Sequence, residues 1–326
     1  LLLCLMIAMG THYLRRFNSD GRAALFSTAF FFLSPTFHYV FWLQPEILNM
    51  ASAMGCLFFA FYEFEGPHSG GLLDRWSHFF FNQRTAPLWS GGFLAIGTYN
   101  KPVLALLGIP ALVLVLRRRG RRSALGWLAA AALTMGVVAG GSVLLTGHLT
   151  PYLGVVRTGL KIEDPAAMEA AVTQAFGLIS ERSTTANTWS WIFRLPTQEP
   201  KEFLENLGYF FWGRHTGLLL YFPFVIVCLG LFLRHQRRAS ERWIVLAAIA
   251  AVGLFFLLFI PFNWHGGGGF IGNRYFIMAY PAFLFLVTSL QPLWATPIAA
   301  AAAGIFLGSI IFTPFGAPVA QPTLQS

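Results

Sequence analysis

The feature that most constrains this chain is a succession of apolar runs of helix length, punctuated by glycine, proline and short arginine clusters. Read against that punctuation, the runs give about ten membrane segments, at roughly 1–14, 22–42, 45–64, 87–100, 102–116, 123–147, 216–233, 243–261, 274–290 and 294–313. They are spread through all 326 residues, so the apolar part is the protein itself and not an anchor for a soluble domain. With 56% hydrophobic residues, 11% charged residues and a mean hydropathy of +0.61, water is not its main solvent. The expected fold is therefore all-α, a polytopic transmembrane helical bundle of about ten segments. Residues 1–326 form a single transmembrane domain that includes one large extracytoplasmic loop, 148–215. Segments 87–100 and 102–116 are short for a simple span of about 20 residues and read as half-helices or tilted pieces packed against protein.

Charge sets the expected orientation. Alternating the loops in order puts RRFNSDGR, the stretch 65–86, RRRGRR, RHQRRASER and Gln291–Pro292 on one side, with most of the 22 basic residues in short loops, which marks that side as cytoplasmic. The net charge of +9 is thereby accounted for by topology, and nucleic acid is not an expected partner. The outer side is dominated by 148–215, where AAMEAAVTQAFGLIS has helical spacing and KEFLENLGYFFWG reads as an amphipathic helix along the membrane surface. Cys4, Cys56 and Cys228 lie inside apolar runs without paired or metal-ligand spacing and read as small fillers. The chain opens mid-hydrophobe at Leu1 without the features of a signal peptide, so its start reads as truncated.

Charges at the membrane boundary that belong to no basic cluster are costly, which makes each a candidate functional group. Glu46, Lys101, Arg214 and Arg274 qualify, in QPEILNM, YNKPVLALL, GRHTGLLLY and GNRYFIMAYP, all at outer N-termini of helices that run inward. Free backbone N–H groups and the positive end of a helix dipole attract anions there, phosphate above all, and Lys101, Arg214 and Arg274 reinforce the field. His215 lies beside Arg214. In NWHGGGGFIGNRY, Gly266 to Gly269 allow close backbone approach to a ligand just before Arg274, with His265 and Asn273 able to donate or accept hydrogen bonds. The same stretch also reads as a turn with Arg274 reaching the interface. Glu46 is either a general base or an acid that starts a helix after Pro45. Trp189, Trp191, Tyr209, Phe210, Phe211 and Trp212 read as an interfacial belt or, alternatively, as sugar-stacking platforms, and Glu163–Asp164 as a solvated turn without a DxD or histidine partner.

Three stretches, RRFNSDGRAALFSTAFFFLSPTF with QPEILNM, GGFLAIGTYNKPVLALLGIPALVLVLRRR, and GNRYFIMAYPAFLFL, together resemble the GT-C membrane glycosyltransferases, especially the protein O-mannosyltransferase and aminoarabinose-transferase type. The resemblance implies a polyprenyl-phosphate-linked sugar donor, a glycan, lipid or protein acceptor, and a bacterial cytoplasmic membrane with the active site on its periplasmic face. It implies that Lys101 and Arg274 hold the departing phosphate, that Arg214 and His215 sit beside the donor, and that Glu46 is an accessory acid. These enzymes carry their main catalytic acid in a first outer loop, which here is expected upstream of Leu1. No cofactor is expected, and a divalent cation is not legible either way. A lipid-linked substrate transporter or flippase, or a non-catalytic membrane scaffold, is the alternative; segments 123–147, 243–261 and 294–313, which hold no charge, favour the enzyme over a carrier.

Overall fold

Asp20, the first residue of its helix, places an acid at the positive end of a helix dipole, and Glu46 does the same at the start of another. In the computed structural model the chain is described at residues 1–41, 45–63, 82–147, 149, 200–213, 216–235, 240–259, 272–292 and 294–312. Its regular elements, all helical among the described residues, are α1 (Leu2–Arg15), α2 (Asp20–Phe32), α3 (Pro35–Phe41), α4 (Glu46–Phe61), α5 (Ala86–Asn100), a 3-10 turn (Pro102–Leu104), α6 (Ala105–Thr146), α7 (Pro200–Trp212), α8 (Leu218–Tyr221), α9 (Pro223–His235), α10 (Arg242–Phe259), a 3-10 segment (Ile277–Leu286) and α11 (Ala295–Phe312). The chain divides into two compact units, residues 1–136 with 198–326, and residues 137–197. In the smaller unit the described residues are the last turns of α6 and the residues that follow it to 149.

Several expected segments break where the sequence carries a reason to break. The run 22–42 becomes α2 and α3, bent by 65° where Pro35 follows Ser34. Proline cannot donate an N–H to the preceding turn and clashes with it, so the helix restarts there. The run 274–290 is a ten-residue 3-10 helix with Pro281 inside it and every residue buried. The arginine stretch expected as the loop between 102–116 and 123–147 lies inside α6, interrupted at Gly120, whose φ of 81° suits glycine alone. A Cβ on Gly108 would stand 3.5 Å from the Trp127 ring. Nineteen residues of straight helix span about 28 Å, so the chain reverses at Gly120 and its two arms pack on each other.

Two helical stretches, Pro102–Leu145 and Arg242–Phe259, are long and apolar enough to cross a membrane, and α2 with α3 would make a third if counted as one bent span. The apolar helices Leu2–Arg15, Glu46–Phe61, Pro223–His235, Ile277–Leu286 and Ala295–Gly308 are shorter. Leu25, Leu133 and Ile305 expose 66%, 71% and 79% of their surface, an outward apolar skin of the kind a lipid phase covers.

The larger unit has chemically distinct ends. α4 and the 3-10 segment run in the same direction, packed together, and their final carbonyls are met by arginines. Arg16 Nη1 donates to Phe61 O at 2.9 Å, Arg119 donates to Tyr62 O, and Arg242 Nε donates to Phe285 O at 3.1 Å beside the Tyr13 hydroxyl, which donates to the same oxygen at 2.9 Å. Cations and hydroxyls here satisfy helix C-terminal carbonyls that have no partner within the helix. Arg118 bridges Glu63 and Glu241, each at 2.8 Å, which ties α6 to the residues flanking α4 and α10. The opposite end, where α4 and the 3-10 segment begin, holds Glu46 and Arg274.

Candidate functional site

The site starts from Glu46, the first residue of α4, which follows Pro45 and is 1% exposed. Its Oε1 accepts a hydrogen bond from Arg274 Nε at 2.5 Å, across 228 positions of sequence. Arg274 keeps a quarter of its side chain exposed. A carboxylate this deep is tolerated because it is paired, and the partner is a guanidinium that offers several donors in one plane.

Arg274 is held by the residues on either side of it. Gly272 has a φ of 71°, and a Cβ there would come within 3.0 Å of Pro35 and 3.2 Å of Phe222, so the turn into the segment is built around glycine. Asn273 is buried, and its Oδ1 accepts from the backbone N–H groups of Tyr275 and Phe276 at 3.1 and 3.2 Å. It thus fixes the turn 274–276 that leads into the 3-10 segment. In this structure Asn273 orients the backbone that carries Arg274.

Lys101 stands between α5 and the 3-10 turn, in an extended conformation that ends one helix before Pro102 opens the next. Its Nζ lies 5.8 Å from the centre of the Tyr275 ring, the residue after Arg274. Burial holds the Lys101 ammonium below the ordinary lysine pKa; the Glu46 carboxylate pulls it back up and the Arg274 guanidinium pushes it down. These three ionic groups, from α4, the α5 junction and the 3-10 segment, therefore share one field. A buried carboxylate with two cations leaves a net positive charge, which favours an anion beside Arg274 and Lys101.

Sequence reasoning missed a polar row behind them. Asn49 and Ser52 follow Glu46 at intervals of three on α4, a helical face in an otherwise apolar run, and both are buried. Asn100, next to Lys101, donates from Nδ2 to Asn49 Oδ1 at 2.7 Å. Glu46 Oε2, Asn49 Nδ2 and Ser52 Oγ are buried and make no hydrogen bond among the described residues. The spacing EILNMAS was the available signal. Ser52 also borders a narrow crevice, too tight for a water molecule, lined by Phe93, Leu94, Gly97 and Leu104.

The structure thus brings Glu46, Lys101 and Arg274 to one end of the bundle and has Asn273 hold the turn that carries Arg274. Arg214, His215, His265 and the glycine run 266–269 lie outside the described residues, as do Glu163–Asp164, Trp189 and Trp191. The expected amphipathic helix at KEFLENLGYFFWG is α7: Phe210 packs on Phe276 with ring centres 5.1 Å apart, while Leu204 and Trp212 face outward. Among the described residues no three His, Cys, Asp or Glu side chains converge. No family model, curated protein or solved structure matches the chain.

Proposed function

We propose that this chain is a membrane glycosyltransferase that moves a sugar from a polyprenyl-phosphate donor to an acceptor on the extracytoplasmic face of a bacterial cytoplasmic membrane. The supporting observation is the meeting of Glu46, Arg274 and Lys101 at the end of the bundle opposite the arginine-capped helix ends. Basic clusters favour the cytoplasmic side, so the Glu46 end faces outward in this reading. The ten-segment topology, with 148–215 as an outer loop, belongs to the same proposal.

In the reaction the bond between the anomeric carbon and the phosphate oxygen breaks and the oxygen keeps the electron pair. An acceptor hydroxyl oxygen bonds to that carbon and its proton passes to a carboxylate base. Lys101 and Arg274 stabilise the charge that develops on the leaving phosphate. Glu46 occupies Nε of Arg274, so it acts as a positioning residue that fixes the guanidinium plane. Arg214, His215 and His265 complete the donor pocket in this reading.

The buried row Glu46, Asn49, Ser52 reaches about 9 Å along α4 and favours a second reading, a carrier that takes the polar head of a lipid-linked sugar into the bilayer. One experiment separates the two. The chain is reconstituted in liposomes with a glycosylated polyprenyl phosphate and an acceptor, and the lipid products are followed by mass spectrometry. Release of bare polyprenyl phosphate that falls at least a hundredfold in Arg274→Ala supports the transferase. Movement of intact lipid between leaflets with no release supports the carrier.

A further inference from the structure

We infer that Glu46 Oε2 and Asn49 Nδ2 form a hydroxyl-reading pair that selects the sugar of a lipid-phosphate ligand; this rests on the phosphate-binding reading of Arg274 and Lys101. Glu46 and Asn49 stand three residues apart on one face of α4, and both atoms are buried and make no hydrogen bond among the described residues. One is an acceptor only and the other a donor only. An unsatisfied polar atom at this depth is expensive, and more so for a carboxylate oxygen than for an amide. A hydroxyl satisfies both, since it donates to the carboxylate and accepts from the amide. A polyol ring presents several such groups at short spacing, whereas a bare phosphate, held at Arg274 and Lys101 and without a donor when fully ionised, cannot satisfy the pair.

The surrounding contacts fix the polarity of the pair. Asn100 Nδ2 donates to Asn49 Oδ1 at 2.7 Å, so the Asn49 oxygen is engaged and its amide nitrogen is directed elsewhere. Arg274 Nε engages Glu46 Oε1 at 2.5 Å and leaves Oε2 as the remaining acceptor. The cations that attract the phosphate therefore also orient the two atoms that read the sugar. Arg274 is partly exposed and Glu46 is 1% exposed, which puts the reading pair on the protein side of the cation. Ser52 Oγ, one further turn along the same face, supplies a third group for a larger ring.

The test compares bare polyprenyl phosphate with a panel of the same lipid carrying hexoses or an aminopentose, each titrated against the chain in nanodiscs. The wild-type chain is expected to bind at least one glycosylated lipid about tenfold more tightly than the bare one, as a hydrogen bond to a charged group allows. Asn49→Leu is expected to bring that ratio close to one while leaving the affinity for bare lipid unchanged. Asn49→Asp keeps the oxygen that faces Asn100 and removes the amide donor; it is expected to lose the ratio as well, and it serves if the leucine variant does not fold. An unchanged ratio in either folded variant overturns the inference and leaves the phosphate site standing. Equal weakening of both lipids also overturns it, because the amide then orders the site or a water instead of reading a sugar. If wild-type binds neither lipid, the inference falls together with the functional reading.

Discussion

Glu46 and Arg274, separated by 228 positions, share a hydrogen-bonded ion pair with Nε and Oε1 2.5 Å apart at the ends of two elements that start side by side. The asymmetry of burial decides how the pair responds to mutation. Glu46 is 1% exposed and Arg274 is 25% exposed, so removing the arginine strands a carboxylate in an apolar setting.

Arg274→Met is therefore expected to destabilise the chain by about 3 kcal/mol, and Glu46→Gln by less, since glutamine still accepts from Nε. In the double variant Glu46→Gln with Arg274→Met, part of the loss is recovered because no charge is left buried. Thermal unfolding in detergent checks the order. An Arg274→Met midpoint equal to wild type would contradict the pairing.

Lys101 gives a pH prediction. Burial lowers its pKa from 10.5, and in the proposed function the protonated form is the one that holds the phosphate. Anion affinity should fall on an alkaline limb that begins below the ordinary lysine range, and Lys101→Arg should abolish the limb because arginine stays charged. The stability of the free protein moves the opposite way. The unfolded chain holds the Lys101 proton to higher pH than the folded one, so this group's contribution rises as pH climbs from the folded pKa to 10.5. Titration of lipid-phosphate binding against pH in wild type and in Lys101→Arg checks the limb.

The arginine-rich end should be structural. Tyr13 and Arg242 both donate to Phe285 O, and Tyr13 is buried. Tyr13→Phe is expected to cost about 1 kcal/mol and to leave lipid-phosphate binding unchanged. Parallel unfolding and binding measurements would expose any role of this residue in the site as a drop in affinity.

Helix contact between α5 and the second arm of α6 depends on Gly91, where a Cβ would fall 2.3 Å from Trp127 O. Gly91→Ala is expected to destabilise by about 1–3 kcal/mol. Gly136→Ala, with nothing within 4 Å, should be neutral or slightly stabilising through helix propensity. A shared response of the two variants would argue against the packing of α6 back on α5.

These tests also mark what the sequence could carry. Glu46, Lys101 and Arg274 were legible because isolated charges at the ends of apolar runs are costly wherever they fall. That Arg274 pairs with Glu46 was not legible, since nothing local links positions 228 apart. Asn273 was read as a group that could donate or accept hydrogen bonds to a ligand; that its Oδ1 accepts from the Tyr275 and Phe276 N–H groups was not legible, because an Asn beside an arginine serves either purpose. The 65° bend after α2 lies inside one apolar run because hydropathy does not register a proline's effect on direction. The row Glu46, Asn49, Ser52 was present as a helical spacing, but small polar residues in apolar helices usually serve helix packing, as Ser90 does in donating to Cys56 O at 2.7 Å.

The central claim is that Arg274 and Lys101 hold a lipid phosphate, and direct titration of bare polyprenyl phosphate into the chain in nanodiscs tests it most simply. Saturable binding is predicted, weakened about tenfold or more in Lys101→Met and in Arg274→Met and retained in Tyr13→Phe. Absence of saturable binding, or equal affinity in all four proteins, would contradict it.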